Sequence, residues 1–320
     1  MEDVNCILCG TASDYVLIEQ DGYKVRKCPQ CCLFYVSPRP SVEEISALYE
    51  HDSANITAAS HISGATSKKI NAKHHLRILR SFVKGGDLLE IGAGAGYFLD
   101  EARRVGYSPF GLELNPIQVK YIRDRFNIDC EQSNIGPGIF GGRKFDIVYH
   151  CDVLSHFYDP IKEFRKMREI MRPGAILAFE TGYVGDEKHL RYIGSLQLPD
   201  HLYFFSENNL KQLLGMTGFK LIKIYRYSLL PQIILLRRLN SIIGRTEKHA
   251  EESKEADKVT SDACVVSRQS GTKTADQKTL PKRILGYGYR LFRHVLRYKV
   301  GRISPKRGRP QTFIVVARRE

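Results

Sequence analysis

Four cysteines and one glycine-rich turn carry the spacings in this chain that point to chemistry. Cys6-x2-Cys9 and Cys28-x2-Cys31 are two knuckles separated by 18 residues. Four thiolates so spaced can close a tetrahedron around one zinc ion while a short hairpin fills the gap. Disulfides or a redox dithiol are the competing readings. A cytosolic chain keeps its thiols reduced, and no thioredoxin-like strand and helix surround these cysteines. A ribbon of this size cannot bury enough core to fold by itself, so the metal contributes its folding energy. Cys32 is one thiol too many, and on spacing alone Cys130, Cys151 and Cys264 read as ordinary cysteines.

The turn is Glu90-x-Gly92-x-Gly94-x-Gly96, which ends an apolar run and opens an apolar helical pattern at Tyr97. Strand, tight turn and helix start in that order cradle nucleotide-like ligands. The spacing narrows the ligand. A dinucleotide fingerprint wants a glycine where Tyr97 stands, and a phosphate-binding loop wants a Gly-Lys-Ser/Thr close that is missing. Glu113 follows seventeen residues after Gly96, at the end of the next apolar run. A carboxylate there can accept both hydroxyls of a ribose; the bland alternative is a solvated strand-end acid.

The elements that must hold these groups alternate. Strands are expected at the run ending in Glu90, at 108–114, 128–132, 144–150, 175–180, 219–227 and 312–317. Helices are expected at 41–49, 68–82, 97–105, 116–126, 161–171 and 207–216, with Ser206 as an N-cap and Ser41 to Glu44 as a capping box. Residues 51–66 are small and polar and read as a mobile loop, and His74 and His75 read as ordinary helix positions. This pattern gives an α/β, doubly wound, seven-stranded and mostly parallel sheet. The organisation expected is a zinc ribbon at 1–40, a core at 41–228, a basic helical insertion with a disordered centre at 229–311, and a closing strand at 312–320.

Charge is concentrated in that insertion. The chain carries a net +14, and residues 229–311 hold 19 Lys and Arg against 7 Asp and Glu. A basic block implies an acidic partner. From Lys282 to Arg309 there are ten basic residues and no acid, with Leu285, Leu291, Phe292, Val295 and Leu296 forming an apolar side. An anionic membrane surface, a packing or dimer contact and, less favoured, a nucleic acid are the alternatives. The start, Met-Glu-Asp-Val-Asn-Cys, has no basic-then-apolar signal, so a cytoplasmic location is expected, with peripheral membrane contact through 282–309.

The Glu-x-Gly-x-Gly-x-Gly turn resembles the first motif of class I S-adenosylmethionine-dependent methyltransferases, a family with the Rossmann-like sheet described above. The stretch Cys151-Asp152-Val153-Leu154-Ser155-His156-Phe157-Tyr158-Asp159-Pro160 is similar to that family's fourth motif, with Ser155 in place of the customary Glu. Arg172-Pro173-Gly174-Ala175-x-Leu177 matches a further turn and strand. The cysteine knuckles followed by Phe-Tyr-Val-Ser-Pro-Arg-Pro-Ser resemble the zinc-binding leader found before methyltransferase domains in bacterial sugar and surface-glycan clusters. The resemblance covers residues 6–227 and 312–318. It implies S-adenosylmethionine as donor, held by Glu90, Gly92, Gly94, Gly96 and Glu113. Asn134 would reach the adenine in place of the usual acid, and Cys151 and Asp152 would lie beside the reactive methyl group. Asp200-His201-Leu-Tyr-Phe-Phe-Ser206 resembles a stretch of sugar C-methyltransferases in which the histidine is the base, although Leu198 takes the place of an assisting tyrosine. His201 and Asp200 are therefore candidate catalytic residues. His156 is either a third or a helix-packing histidine. The acceptor implied is a nucleotide- or lipid-linked sugar or glycan. A zinc-ribbon RNA methyltransferase and a non-catalytic binding protein with this fold are the alternatives.

Overall fold

The structure is a computed structural model and describes residues 1–45, 53–182, 184, 187, 196–227, 291–292, 294–300 and 312–320. The chain divides into two compact units, one of Met1–Ser228 with Arg302–Glu320 and one of Leu229–Gly301.

In the first unit β1 (Val16–Gln20) and β2 (Tyr23–Lys27) form the hairpin between the cysteine knuckles. Its turn, Asp21-Gly22, has both residues at positive φ, the turn whose twist matches the flanking strands. β3 (Phe34–Val36) continues this small sheet. A second sheet holds β4 (Gly86–Ile91), β5 (Tyr107–Leu112), β6 (Cys130–Glu131), β7 (Phe145–Cys151), β8 (Met171–Gly182), β10 (Phe219–Tyr227) and β11 (Thr312–Arg319). The two-residue strand β9 (Tyr203–Phe204) joins the first sheet instead. The large sheet runs β10-β11-β8-β7-β4-β5-β6, parallel from β8 to β6, with β11 antiparallel between β8 and β10. This is the seven-stranded, mostly parallel order expected. Its central strands are buried on both faces, which is why Leu88, Leu89, Ile147, Val148 and Leu177 form continuous apolar runs rather than alternations.

Topology sets the place of any ligand. From β4 the chain moves outward to β5 and β6, then returns to β7 on the other side of β4. Strand order reverses between β4 and its two neighbours, and the carboxyl ends of β4, β5 and β7 border the crevice that this creates.

The flanking helices are α1 (Ser53–Ser63), α2 (Ala65–Leu79), α3 (Tyr97–Arg104), α4 (Pro116–Phe126), α5 (Pro160–Ile170) and α6 (Glu207–Met216). Their starts follow local chemistry. Asn115 caps α4 through the amides of Ile117 and Gln118, and Asp159 caps α5. Ser206 and Asn209 form a reciprocal capping box on α6. Ser41 and Glu44 exchange the same pair of bonds at the start of the helical stretch 42–45.

One expectation is overturned. Of the segment read as a mobile loop, Ser53–Ser63 is helix α1, and Ala58 within it is buried. Its composition gives little periodic signal. Tertiary contacts hold it: the Ile62 carbonyl accepts the Tyr97 hydroxyl, and His61 bonds Gln118. Most of the insertion, including the centre read as disordered, lies outside the described residues. In the second unit, residues 291–292 and 294–300 are helical, with Leu291, Phe292 and Val295 exposed. Among the described residues no helix is long and apolar enough to cross a membrane.

His150 on β7 shows what the core demands of a titratable group. It is fully buried, stacks on Phe179 at 4.8 Å between ring centroids, and meets Phe157 and Phe164 edge-on. Neither ring nitrogen has a hydrogen-bond partner, and burial pushes its pKa down to about 3. Unfolding frees the imidazole to titrate near 6.5. The stability that comes from keeping it neutral is therefore complete above pH 6.5 and is lost as pH falls from there towards 3, by about 1.4 kcal/mol per pH unit at most. Thermal melts should show a lower melting temperature at pH 5 than at pH 7.5. His150→Phe, which adds a ring among rings, should shrink that difference.

Candidate active site

The glycine turn joins β4 to α3 at the sheet's carboxyl edge. Gly94 sits at φ +55, and its amide donates to Glu113 Oε2 at 2.7 Å. A Cβ on Gly94 would stand 3.2 Å from Nδ1 of His61. Gly96 caps α3 in the left-handed region at φ +71, where a Cβ would lie 2.6 Å from Cγ1 of Ile122. A side chain at either position is strained by the backbone and crowded by a neighbour. A Cβ on Gly92 would meet Val153 at 2.8 Å, which shows how closely the turn abuts the segment after β7.

Carboxylates gather here. Glu113, at the end of β5, accepts the amides of Leu114 and Asn115 through its second oxygen at 2.8 and 3.0 Å. Burial raises its pKa, and these backbone donors hold the rise back. Glu90, next to last in β4, is almost fully buried, and its Oε2 has no hydrogen-bond partner among the described residues. Burial pushes its carboxyl well above the usual range; the positive charge of Lys68 opposes this, and Glu113 adds to it. Asp152 follows β7 at φ +55, a strained conformation for a non-glycine residue, with its amide bonded to the Glu180 carbonyl at 3.0 Å. Cys151, half-buried, contacts the Asp152 carboxylate at 3.7 Å. Glu90, Gly92, Gly94, Gly96 and Glu113 thus surround one turn, with Cys151 and Asp152 on the adjacent strand end. Asn134 is exposed beyond β6, where its carbonyl accepts from the Ser133 hydroxyl at 3.0 Å. Such a ring repels phosphate. The Glu90 oxygen that has no partner among the described residues is an available acceptor for a cationic group.

A second cluster forms from two remote segments. His156 ends a short 3-10 turn, Leu154–His156, after β7, while Asp200 and His201 precede β9. His156 Nδ1 and Asp200 Oδ1 are 3.0 Å apart, and the rings of His156 and His201 lie 4.7 Å apart at 69°. The Leu202 amide donates to the Ser155 carbonyl at 2.8 Å and fastens the two segments together. Burial alone would lower the pKa of His156, but the Asp200 hydrogen bond and charge raise it on balance. His201 is lowered, first by burial and then by the charge of His156. One imidazole therefore tends to keep its proton while its neighbour stays free to take one. Leu198, at the place of the absent tyrosine, is partly buried against the core.

The four cysteines converge. Cys6–Cys31 and Cys9–Cys28 sulfurs are 3.4 and 3.3 Å apart, and all four lie within 4.8 Å of one another. Tetrahedral zinc with bonds of about 2.3 Å places its sulfurs about 3.8 Å apart, so the set fits that ion. The contact with Cys6 brings Cys31 down to about 5.

Three groups of residues were not legible as part of a site. His61 stands over Gly94, paired with Gln118 at 3.0 Å, because α1 was read as a loop. Tyr97 bonds both Ile62 and Tyr121 across the same region. His75, read as an ordinary helix position, is buried and links Tyr149 at 2.5 Å to Glu180 at 2.7 Å, directly beneath the Cys151 strand end. Position on a helix gave no signal of those long-range partners.

A cation bound at Glu90 must ionise it. Affinity for S-adenosylmethionine should therefore rise with pH through the raised pKa of Glu90, and binding should release a proton below it. Calorimetry in buffers of different ionisation enthalpy should show buffer-dependent heats, and Glu90→Gln should weaken binding and remove that dependence.

The family model described as Methyltransferase domain matches residues 65–224, half of the chain. The chain is 26% identical over 142 residues to the ubiquinone biosynthesis O-methyltransferase of Cereibacter sphaeroides (strain ATCC 17025), covering 38% of this chain and 58% of that one. It is 23% identical over 152 residues to the protein of the same name from Dinoroseobacter shibae, covering 43% and 61%. It thus spans less than two thirds of these relatives' length. Among solved structures, an S-adenosylmethionine-dependent methyltransferase from Mesorhizobium loti aligns with a TM-score of 0.44 at 16% identity, over 77% of this chain and 96% of that one. The family match spans the glycine turn and strands β4 to β8 of the large sheet, and the chain belongs to the methyltransferase domain family.

Proposed function

We propose that this protein is an enzyme that transfers a methyl group from S-adenosylmethionine to a sugar or glycan acceptor held against His201. The observation that carries the proposal is the convergence at one sheet edge. The carboxylate-ringed turn and the His156–Asp200–His201 cluster flank the same β7 terminus, though they come from segments about a hundred residues apart. S-adenosylmethionine, when bound, supplies an activated methyl on a positive sulfur.

The protein's part is to place two reactants in line and remove one proton. Glu90 and Glu113 favour the positive donor over neutral molecules. Cys151 and Asp152 border the reacting end. His201, kept neutral by burial and by its charged neighbour, accepts the acceptor's proton on a ring nitrogen. Asp200 holds His156 charged and fixed in orientation. The four cysteines would hold a structural zinc ion, since their set of four thiolates is complete and leaves no open position.

The stretch around His201, with its likeness to sugar C-methyltransferases, favours a sugar. The names of the curated relatives, both O-methyltransferases, favour oxygen as the receiving atom. The basic segment 282–309 favours a lipid-linked acceptor at an anionic bilayer, with Leu291, Phe292 and Val295 exposed at its centre.

The test is transfer of labelled methyl by the full chain to nucleotide-linked sugars, to lipid-linked glycans in anionic or neutral vesicles, and to RNA. Label should enter the sugars, more in anionic vesicles than in neutral ones. Label in RNA alone would overturn the acceptor class. His201→Ala should lower kcat by about 10²- to 10⁴-fold while donor affinity holds. His156→Gln removes the charge that depresses His201, so the acidic limb of the pH–rate profile should move to higher pH.

A further inference from the structure

The cysteine module is tied along its length to the segment that carries His201. β3 begins three residues after Cys31 and pairs antiparallel with β9, Phe34 opposite Phe204 and Tyr35 opposite Tyr203. The Val36 amide then donates to the carbonyl of Leu202, the residue next to His201, at 3.0 Å. Beyond β9, the helix α6 reaches both knuckles: Asn209 donates to the Cys31 carbonyl at 2.8 Å, and Gln212 to the Leu8 carbonyl at 3.2 Å. Before β9, Lys27 pairs with Glu187 at 2.9 Å, and the Gln20 side chain accepts the Leu196 amide at 3.4 Å. Arg39 donates to the Tyr203 hydroxyl at 2.7 Å and to the Tyr158 carbonyl at 2.8 Å, so one buried guanidinium spans both sides of the acceptor cluster.

We infer that the four-cysteine centre is the positioning device for the acceptor half of the site, so that metal occupancy sets the place of His201 while leaving the donor turn unaffected. The inference rests on the reading of His201 as the acceptor-side base. Its physical basis is a difference in support. The glycine turn and Glu113 directly follow β4 and β5, at the carboxyl edge of the large sheet, and no hydrogen bond described above joins them to the module, whose apolar side chains share the sheet's core. The loop 196–206 has as its own secondary structure a two-residue strand, whose partner is β3. A ribbon of this size owes its folding to its metal, and without it β3 loses the fixed edge on which β9 is laid. A displacement of about 1 Å at a reacting group costs about 10²-fold in rate. The zinc is then needed for catalysis without touching substrate.

The test uses the full chain with zinc bound, stripped by chelator, and reloaded. Donor affinity is read by calorimetry, and hydrogen exchange is followed at Val36, at 201–206 and at β4. Stripping should leave donor affinity within about twofold, speed exchange at Val36 and 201–206, leave β4 protected, and lower methyl transfer about 10²-fold, with zinc restoring all of it. Gln212→Ala, which cuts one tie without touching a cysteine, should raise exchange in 201–206 with zinc still bound. Unchanged exchange in 201–206 after stripping would overturn the inference. So would loss of donor binding together with protection in β4, because the metal would then support the whole fold. Failure of the zinc-loaded chain to bind S-adenosylmethionine at all would instead count against the proposed function.

Discussion

Glu113 accepts the amides of Gly94, Leu114 and Asn115; the Gly94 bond holds the end of β5 to the turn after β4, and the other two fold the following segment onto the same carboxylate. The constraint behind them is electrostatic. Two carboxylates brought to one buried sheet edge repel each other, and each is costly to charge there. Backbone amides offset that cost for Glu113. Glu90, next to it on β4, has an oxygen with no such donor. Burial therefore favours the neutral form of Glu90, and a cationic group beside it would favour the charged one. The left-handed glycines and the αL start of α3 follow from the need to turn the chain within reach of Glu113.

The His156–Asp200–His201 cluster obeys a different constraint. Its residues sit after strand ends and on a loop, so the main sheet alone does not fix them. The His156–Asp200 bond and the Leu202–Ser155 bond fix them to each other, and the β3–β9 pairing fixes them to the cysteine module. The glycine turn thus follows strands of the large parallel sheet, whereas the histidine cluster is held by loop contacts and by the small sheet β1-β2-β3-β9, and both sheets share one apolar core.

The sequence made the fold visible wherever the signal was local. Ser206 and the run Phe219–Tyr227 mark their elements through capping and propensity, and the structure has them there. The glycine turn and Glu113 were legible because their chemistry depends on short spacings. The convergence of His156 with His201 could be anticipated only through likeness to a family, since 45 positions of chain separate them. Helix α1 was missed because small polar residues carry no amphipathic stripe, and its order comes from Tyr97 and Gln118. The β9 strand is too short for any periodicity. His75, buried between Tyr149 and Glu180, looks in sequence like any polar residue of a helix. Long-range pairing decides each of these three, and no window of sequence contains it.

Donor and acceptor chemistry are proposed to meet at the carboxyl end of β7. The most direct measurement is an NMR experiment on the zinc-loaded chain with S-adenosylmethionine labelled with ¹³C on the transferable methyl. Nuclear Overhauser effects are predicted from that methyl to Cys151 and to the ring protons of His156 or His201, and the ring-proton signals should vanish when the histidine concerned is replaced by alanine. A bound methyl whose Overhauser effects reach only residues away from β7 and the His201 loop would contradict that meeting.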